Sequence, residues 1–142
     1  MFKKIVWATD GSKNADRALT VAKSLAAEQG AALTIVHVVQ RIASGKAKGL
    51  TWYADEEEVV ERVKKLGAEL SGEGLNTSVK IVDDRGIQPA HDIADAAREA
   101  GADLIVMGTR GHSAISGLLL GSVTQRMLHV APCPVLAVPP AE

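Results

Sequence analysis

The chain has 142 residues, 46% of them apolar and 23% charged, enough for one domain that buries roughly 70% of its unfolded surface. Sixteen basic residues against seventeen acidic ones give a formal net charge of −1, and the aromatics are only Phe2, Trp7, Trp52 and Tyr53. That composition argues against the concentrated basic face and the stacking platform of a nucleic-acid binder. It also argues against a membrane protein, because "LIVM" and "VLAV" fall far short of the about 20 residues a spanning helix takes.

In chain order, "MFKKIVWATDGS" reads as a first strand rather than a signal peptide, closing on the turn pair Asp10-Gly11. Ser12 is placed to cap a helix whose small and apolar residues recur at Ala15, Ala18, Leu19, Ala22, Leu25 and Ala26, with Gly30 as its stop. "AALTIVHVV" is a second strand. Gln40 to Tyr53 has no clear period and is read as a mobile loop. The acids of "ADEEE" favour a helix start, followed by a stripe of Val59, Val63, Leu66 and Leu70.

"NTSVKIVDD" is a third strand, and Pro89 suits the first turn of a third helix that Gly101 ends. "ADLIVMG" is a fourth strand. A glycine-rich stretch follows, then a helix from about Ser122 to Val130, and "CPVLAVPP" is a last strand closed by prolines. The alternation predicts a single α/β domain over residues 1–142. Its doubly wound, five-stranded parallel sheet has the order 3-2-1-4-5 and helices on both faces. Ligands of such sheets bind outside the carboxyl ends of the strands, where the strand order reverses. Asp10 ends the first strand and Gly108 the fourth, so neighbouring strands would put both at one crevice. The single Cys133 allows no internal disulfide, which points to a reducing cytoplasm.

The stretch "MGTRGHSAISGLLLGSVTQRML" holds Gly108, Gly111, Gly117 and Gly121 before the fourth helix. Glycines let a backbone come close or adopt positive φ. A helix N-terminus offers unpaired N–H groups and a favourable dipole to an anion. Ser122 would add a hydroxyl at the cap position, and Thr124 another if it faces the same way. A plain surface turn has the same composition. No lysine precedes Ser122 as in GxxxxGKS/T, and "TDGSKNAD" after the first strand is not GxGxxG.

The spacing present is G-x2-G-x9-G-S, through Gly108, Gly111, Gly121 and Ser122. With "IVWATDGS", "TIVHVV", "ADLIVMGTRG", "LLLGSVTQRML" and "APCPVLAVP" in that order, the chain resembles the ATP-binding branch of the universal stress protein family. The resemblance implies a small cytoplasmic dimer that holds ATP, with Mg2+ or Mn2+ bound through the phosphates, and acts as a stress regulator with slow hydrolysis at most. Carried over by position, Asp10 would lie by the adenosine, with Ala8 and Thr9 lining its wall. Val38 would meet adenine through its backbone, and Met107 and Gly108 would flank the ribose. Gly111, Gly121, Ser122, Val123 and Thr124 would surround the phosphates. The dimer would join through the last strand, Pro134 to Val138. Two other functions share this fold: cleavage of the α–β phosphate bond, and a nucleotide-free interaction module. The segment "DDRGIQPAHDIA" is longer between Gly86 and Pro89 than the family's usual form.

The remaining residues have plain readings beside functional ones. Asp10 can bond its own turn. His37, inside an apolar strand, is read as a packed core histidine, and Asp55 to Glu58 as a solvated helix start. His112 and Arg110 can touch a phosphate or face solvent. Asp83 and Asp84 are read as turn residues, and Trp52 and Tyr53 either cover the nucleotide or anchor the next helix. His91 and His129 fall on helices, and no histidine spacing forms a metal pair. Cys133 is read as a small buried hydrophobe.

Overall fold

A computed structural model describes residues 1–39, 41–43, 50–52, 56–83, 88–110 and 120–141. In chain order the elements are β1 (Lys4–Thr9), α1 (Lys13–Gln29), β2 (Ala32–Val39), β3 (Arg41–Ala43), β4 (Leu50–Trp52), α2 (Glu56–Gly72), β5 (Thr77–Asp83), α3 (Pro89–Ala100), β6 (Leu104–Gly108), α4 (Ser122–Val130) and β7 (Val135–Val138). The main sheet runs β5-β2-β1-β6-β7 with every pair parallel. Counting its strands in chain order gives 3-2-1-4-5, the expected order.

Side chains alternate across the sheet and divide the core in two. Ile5, Trp7, Leu33, Ile35, Leu104 and Val106 face α1 and α2, and Val6, Ala8, Val36, Val38, Ile105 and Met107 face α3 and α4. α1 presents Ala15, Ala18, Ala22 and Ala26 to the sheet, and such short side chains let the helix lie close. The buried indole of Trp7 needs a hydrogen-bond partner, and its Nε1 donates to the carbonyl of Ala15 at 2.9 Å. α2 comes close over β5 at Gly67, where a Cβ would stand 2.3 Å from Cγ2 of Val79.

Local signals set the helix ends. Ser12 caps α1, its Oγ accepting from the Ala15 N–H at 3.3 Å, and Gly30 and Gly101 end α1 and α3 in the left-handed conformation. Pro89 stands in the first turn of α3, where no N–H is missed.

One expectation changes. The 40–53 segment, read as a mobile loop, contains an antiparallel ladder, with Arg41 opposite Trp52 and Ala43 opposite Leu50. Three-residue strands are too short to show the two-residue alternation by which strands are recognised. The outer strand β5 is only partly buried along its length, because a sheet edge is covered less than the centre.

Candidate functional site

The strand order reverses beside β1, which pairs with β2 on one side and β6 on the other. Asp10 follows the last residue of β1, and Gly108 is the last of β6. Ala8, Val38 and Met107 are buried in one cluster on the α3/α4 face, with Val123 packed against it from α4. The structure therefore brings Ala8, Asp10, Val38, Met107, Gly108 and Val123 to one end of the sheet. Thr9 is buried at the same level and takes the opposite parity.

α4 begins at this end and is bound to β6 by two hydrogen bonds. The Gly121 N–H donates to the Thr109 carbonyl at 2.6 Å, and the Thr124 hydroxyl donates to the Gly108 carbonyl at 2.8 Å. The helix is capped by Gly121, with φ −70° and ψ 163°, a glycine that brings no side-chain hydrogen bond to the first turn. Ser122, expected at the cap, is instead the first helical residue and is exposed, because Gly121 already has the extended cap conformation. The N–H groups of Ser122, Val123 and Thr124 precede the first possible i to i−4 bond, which Gln125 makes to Gly121 at 3.0 Å.

The expected phosphate-facing role of the Thr124 hydroxyl gives way to a fastening one. The side chain is buried, and its single hydrogen is committed to Gly108. Gly108 and Gly121 do not use positive φ. A Cβ on Gly108 would sit 3.1 Å from the Asn14 carbonyl oxygen and 3.2 Å from that of Arg110, so this glycine admits the first turn of α1. Gly111, Gly117, His112, Tyr53, Asp55, Asp84 and Gly86 lie outside the described residues, as does the side chain of Trp52. Arg110 Nε is enclosed and has no hydrogen-bond partner among the described residues.

Asp10 does perform the turn role: its Oδ1 accepts from the Ser12 N–H at 2.9 Å. Thr9 Oγ1 accepts from the Gly11 N–H at 3.0 Å, and Arg62 donates to the Gly11 carbonyl at 2.7 Å. Gly11 has φ 84°, and a Cβ there would meet the methyls of Val59 at 2.9 Å.

His37 is a core histidine, 1% exposed, but its ring is bound at both nitrogens. Nδ1 lies 2.8 Å from the Thr9 carbonyl oxygen, and Nε2 lies 2.8 Å from Oε2 of Glu56. Glu56, expected in a solvated helix start, is 7% exposed and paired. The hint in sequence was chemical: a histidine within an apolar strand must satisfy two nitrogens, so two partners have to come from somewhere.

Cys133 is half-buried against the α3/α4 cluster, and burial first, then the charge of Asp103, pushes its thiol above the usual value. No group of three His, Cys, Asp or Glu side chains among the described residues could hold a metal ion. No helix there is long and apolar enough to cross a membrane.

Together these features define a class: a doubly wound α/β domain with a helix N-terminus at the switch point of its parallel sheet. The family model described as "Universal stress protein family" matches residues 1–139, and the chain belongs to that family. A universal stress protein of Thermus aquaticus is 41% identical over 140 residues, which cover 97% of this chain and 99% of that one. Among solved structures, the protein MJ0577 superposes with a TM-score of 0.74 at 28% identity, covering all of this chain and 99% of the other. A universal stress protein solved in complex with cAMP superposes with a TM-score of 0.69 at 27% identity, covering 96% and 97%.

Proposed function

We propose that the protein is an ATP-binding regulator that holds the nucleotide at the β1–β6 switch point and hydrolyses it slowly at most. The observation that carries this reading is the first turn of α4. It is fixed to the end of β6 and its cap residue is a glycine with no side chain to compete, an arrangement of N–H groups and positive dipole end that suits an anion. Arg110 adds support, since a buried donor without a partner costs free energy that an anion would recover. The related structure in complex with cAMP supports an adenine nucleotide over a simple phosphate.

In this reading Ala8, Val38 and Met107 form the apolar wall for the base and ribose, with Thr9, Asp10 and Gly108 beside the sugar. Gly111, Gly121, Ser122 and Val123 surround the phosphates. Thr124 keeps Gly108 in place, and Arg110 takes a phosphate oxygen. The residues fit the nucleotide better than a bare cation, because the described donors are N–H groups. A divalent ion, Mg2+ or Mn2+, would then be held through the phosphates. In this reading the protein is a holder in the cytoplasm rather than an efficient enzyme.

The same reading includes a homodimer through β7. Among the described residues β7 pairs only with β6, and the large apolar Leu136 and Leu128 are 38% and 56% exposed. An open apolar edge tends to be paired or covered. Sedimentation at micromolar concentration should give a dimer; a monomer removes this part.

Calorimetric titration of nucleotide-stripped protein with ATP, ADP, AMP and cAMP in magnesium tests the main proposal. ATP should bind, Gly121→Val should abolish binding, and Ser122→Ala should weaken it with little change in stability. Absence of binding by the unaltered protein at millimolar nucleotide would overturn the reading. Steady release of AMP and pyrophosphate under excess ATP would replace the holder by a hydrolase.

A further inference from the structure

We infer that the first two turns of α2 position the Asp10 turn, through a relay from Glu56 to His37 to the Thr9 carbonyl and a direct grip by Arg62 on Gly11. The effect on nucleotide affinity rests on the function proposed above, whereas the relay is a property of the fold and can be read without any ligand.

The relay follows from donors and acceptors. A carbonyl oxygen only accepts, so the 2.8 Å contact between Thr9 and His37 requires the hydrogen on Nδ1. The 2.8 Å contact between Nε2 and Glu56 then needs one proton between the two atoms; without it two lone pairs would face each other. Glu56 is the first residue of α2, where a helix dipole favours an acid. Two hydrogen bonds thus connect the start of α2 to the peptide joining Thr9 and Asp10.

Arg62 supplies the second connection, 2.7 Å to the Gly11 carbonyl. The bonds within the turn, Gly11 N–H to Thr9 and Ser12 N–H to Asp10, fix its shape. Those from α2 cross to another element and fix its position. A rigid turn in the wrong place would misplace Asp10 as surely as a loose one.

The test uses the full-length chain with His37→Asn, His37→Gln, Glu56→Gln, Arg62→Ala and Arg62→Lys. Nitrogen-15 spectra give the His37 tautomer and the Asp10 amide shift, and calorimetry gives ATP affinity. Nδ1 should carry a hydrogen. His37→Gln should move the Asp10 amide and weaken ATP binding about tenfold, the ratio of about 1.4 kcal/mol. His37→Asn, whose amide nitrogen stands where Nδ1 does but which cannot reach Glu56, should restore both only in part. Glu56→Gln, which can still bond the ring, should leave both near the original values.

Arg62→Ala alters an exposed side chain and keeps the core intact. It should shift the same amide and weaken ATP binding several-fold, with Arg62→Lys restoring part of each. An Nε2–H tautomer, or Asp10 shifts indifferent to Arg62→Ala and to both His37 variants, would overturn the inference. Amides that respond in a protein that binds no nucleotide would keep the relay and remove the proposed function. ATP binding that no variant changes would keep the proposed function and overturn the effect of the relay on affinity.

Discussion

The two sides of the crevice are built differently. On the β1 side, the Thr9, Asp10, Gly11 and Ser12 turn is held by protein groups: His37, Arg62 and the turn's own side chains. On the α4 side, the helix is fastened by Gly121 and Thr124, but its cap residue Gly121 has no side chain to offer the first-turn N–H groups. In the proposed function the contrast separates a wall from a holder. A wall keeps its shape by satisfying its own polar groups, whereas a holder needs donors left over for a guest.

The largest expected effect breaks the wall. Glu56→Ala leaves the buried His37 ring with one nitrogen unpaired and should cost about 3 kcal/mol of stability, measured by urea unfolding. A loss under about 1 kcal/mol would mean that the wall does not depend on this pair. Next comes the fastening of the holder. Thr124→Val has nearly the same shape and removes the only hydrogen that the side chain gives Gly108, so it should cost about 1.5 kcal/mol. A neutral result would show that α4 keeps its place by packing alone.

Gly108→Ala probes the seam between the two sides. Its new methyl would press on the backbone of Asn14 and Arg110 and should cost about 1 kcal/mol, read from the same unfolding curves. Unchanged stability would mean that α1 can retreat freely from β6.

The smallest effect is a control at the far end of the sheet, where Asp103 accepts from the Lys3 N–H at 2.8 Å and the Lys4 N–H at 3.0 Å. Burial acts to raise its carboxyl, but these bonds, its own N–H and the N-terminal charge outweigh burial and hold it below the ordinary value of 3.8. A lowered folded value contributes stability above the unfolded value, and this is lost as pH falls below about 4. Asp103→Asn should therefore flatten the acid limb of the stability curve slightly and leave ATP binding unchanged. A change in ATP binding would show that the two ends of the sheet are coupled.

Much of the fold was legible because its signals are local. Strand and helix alternation predicted the parallel sheet, and Ser12, Gly30, Pro89 and Gly101 marked helix ends through bonds or dihedrals within a few residues. Asp10 and Gly108 were placed at one crevice by the expected strand order. The β3–β4 ladder escaped because three residues carry too little periodicity. Gly121 escaped as a cap because Ser122 has the better capping side chain, yet the backbone takes its extended residue one position earlier.

The sequence by itself determined the family, the parallel sheet and the end of the sheet where a ligand would sit. All three rest on patterns carried by neighbouring residues or on motif order. The tertiary structure decided what the polar groups at that end do. Glu56 is 19 residues from His37, and His37 is 28 from Thr9, so their bonds exist only once α2, β2 and β1 have packed. The partner of the Thr124 hydroxyl was decided in the same way, 16 residues upstream at Gly108. A side chain's chemistry is written in its residue type, but its partner is chosen by where the layers of the fold meet.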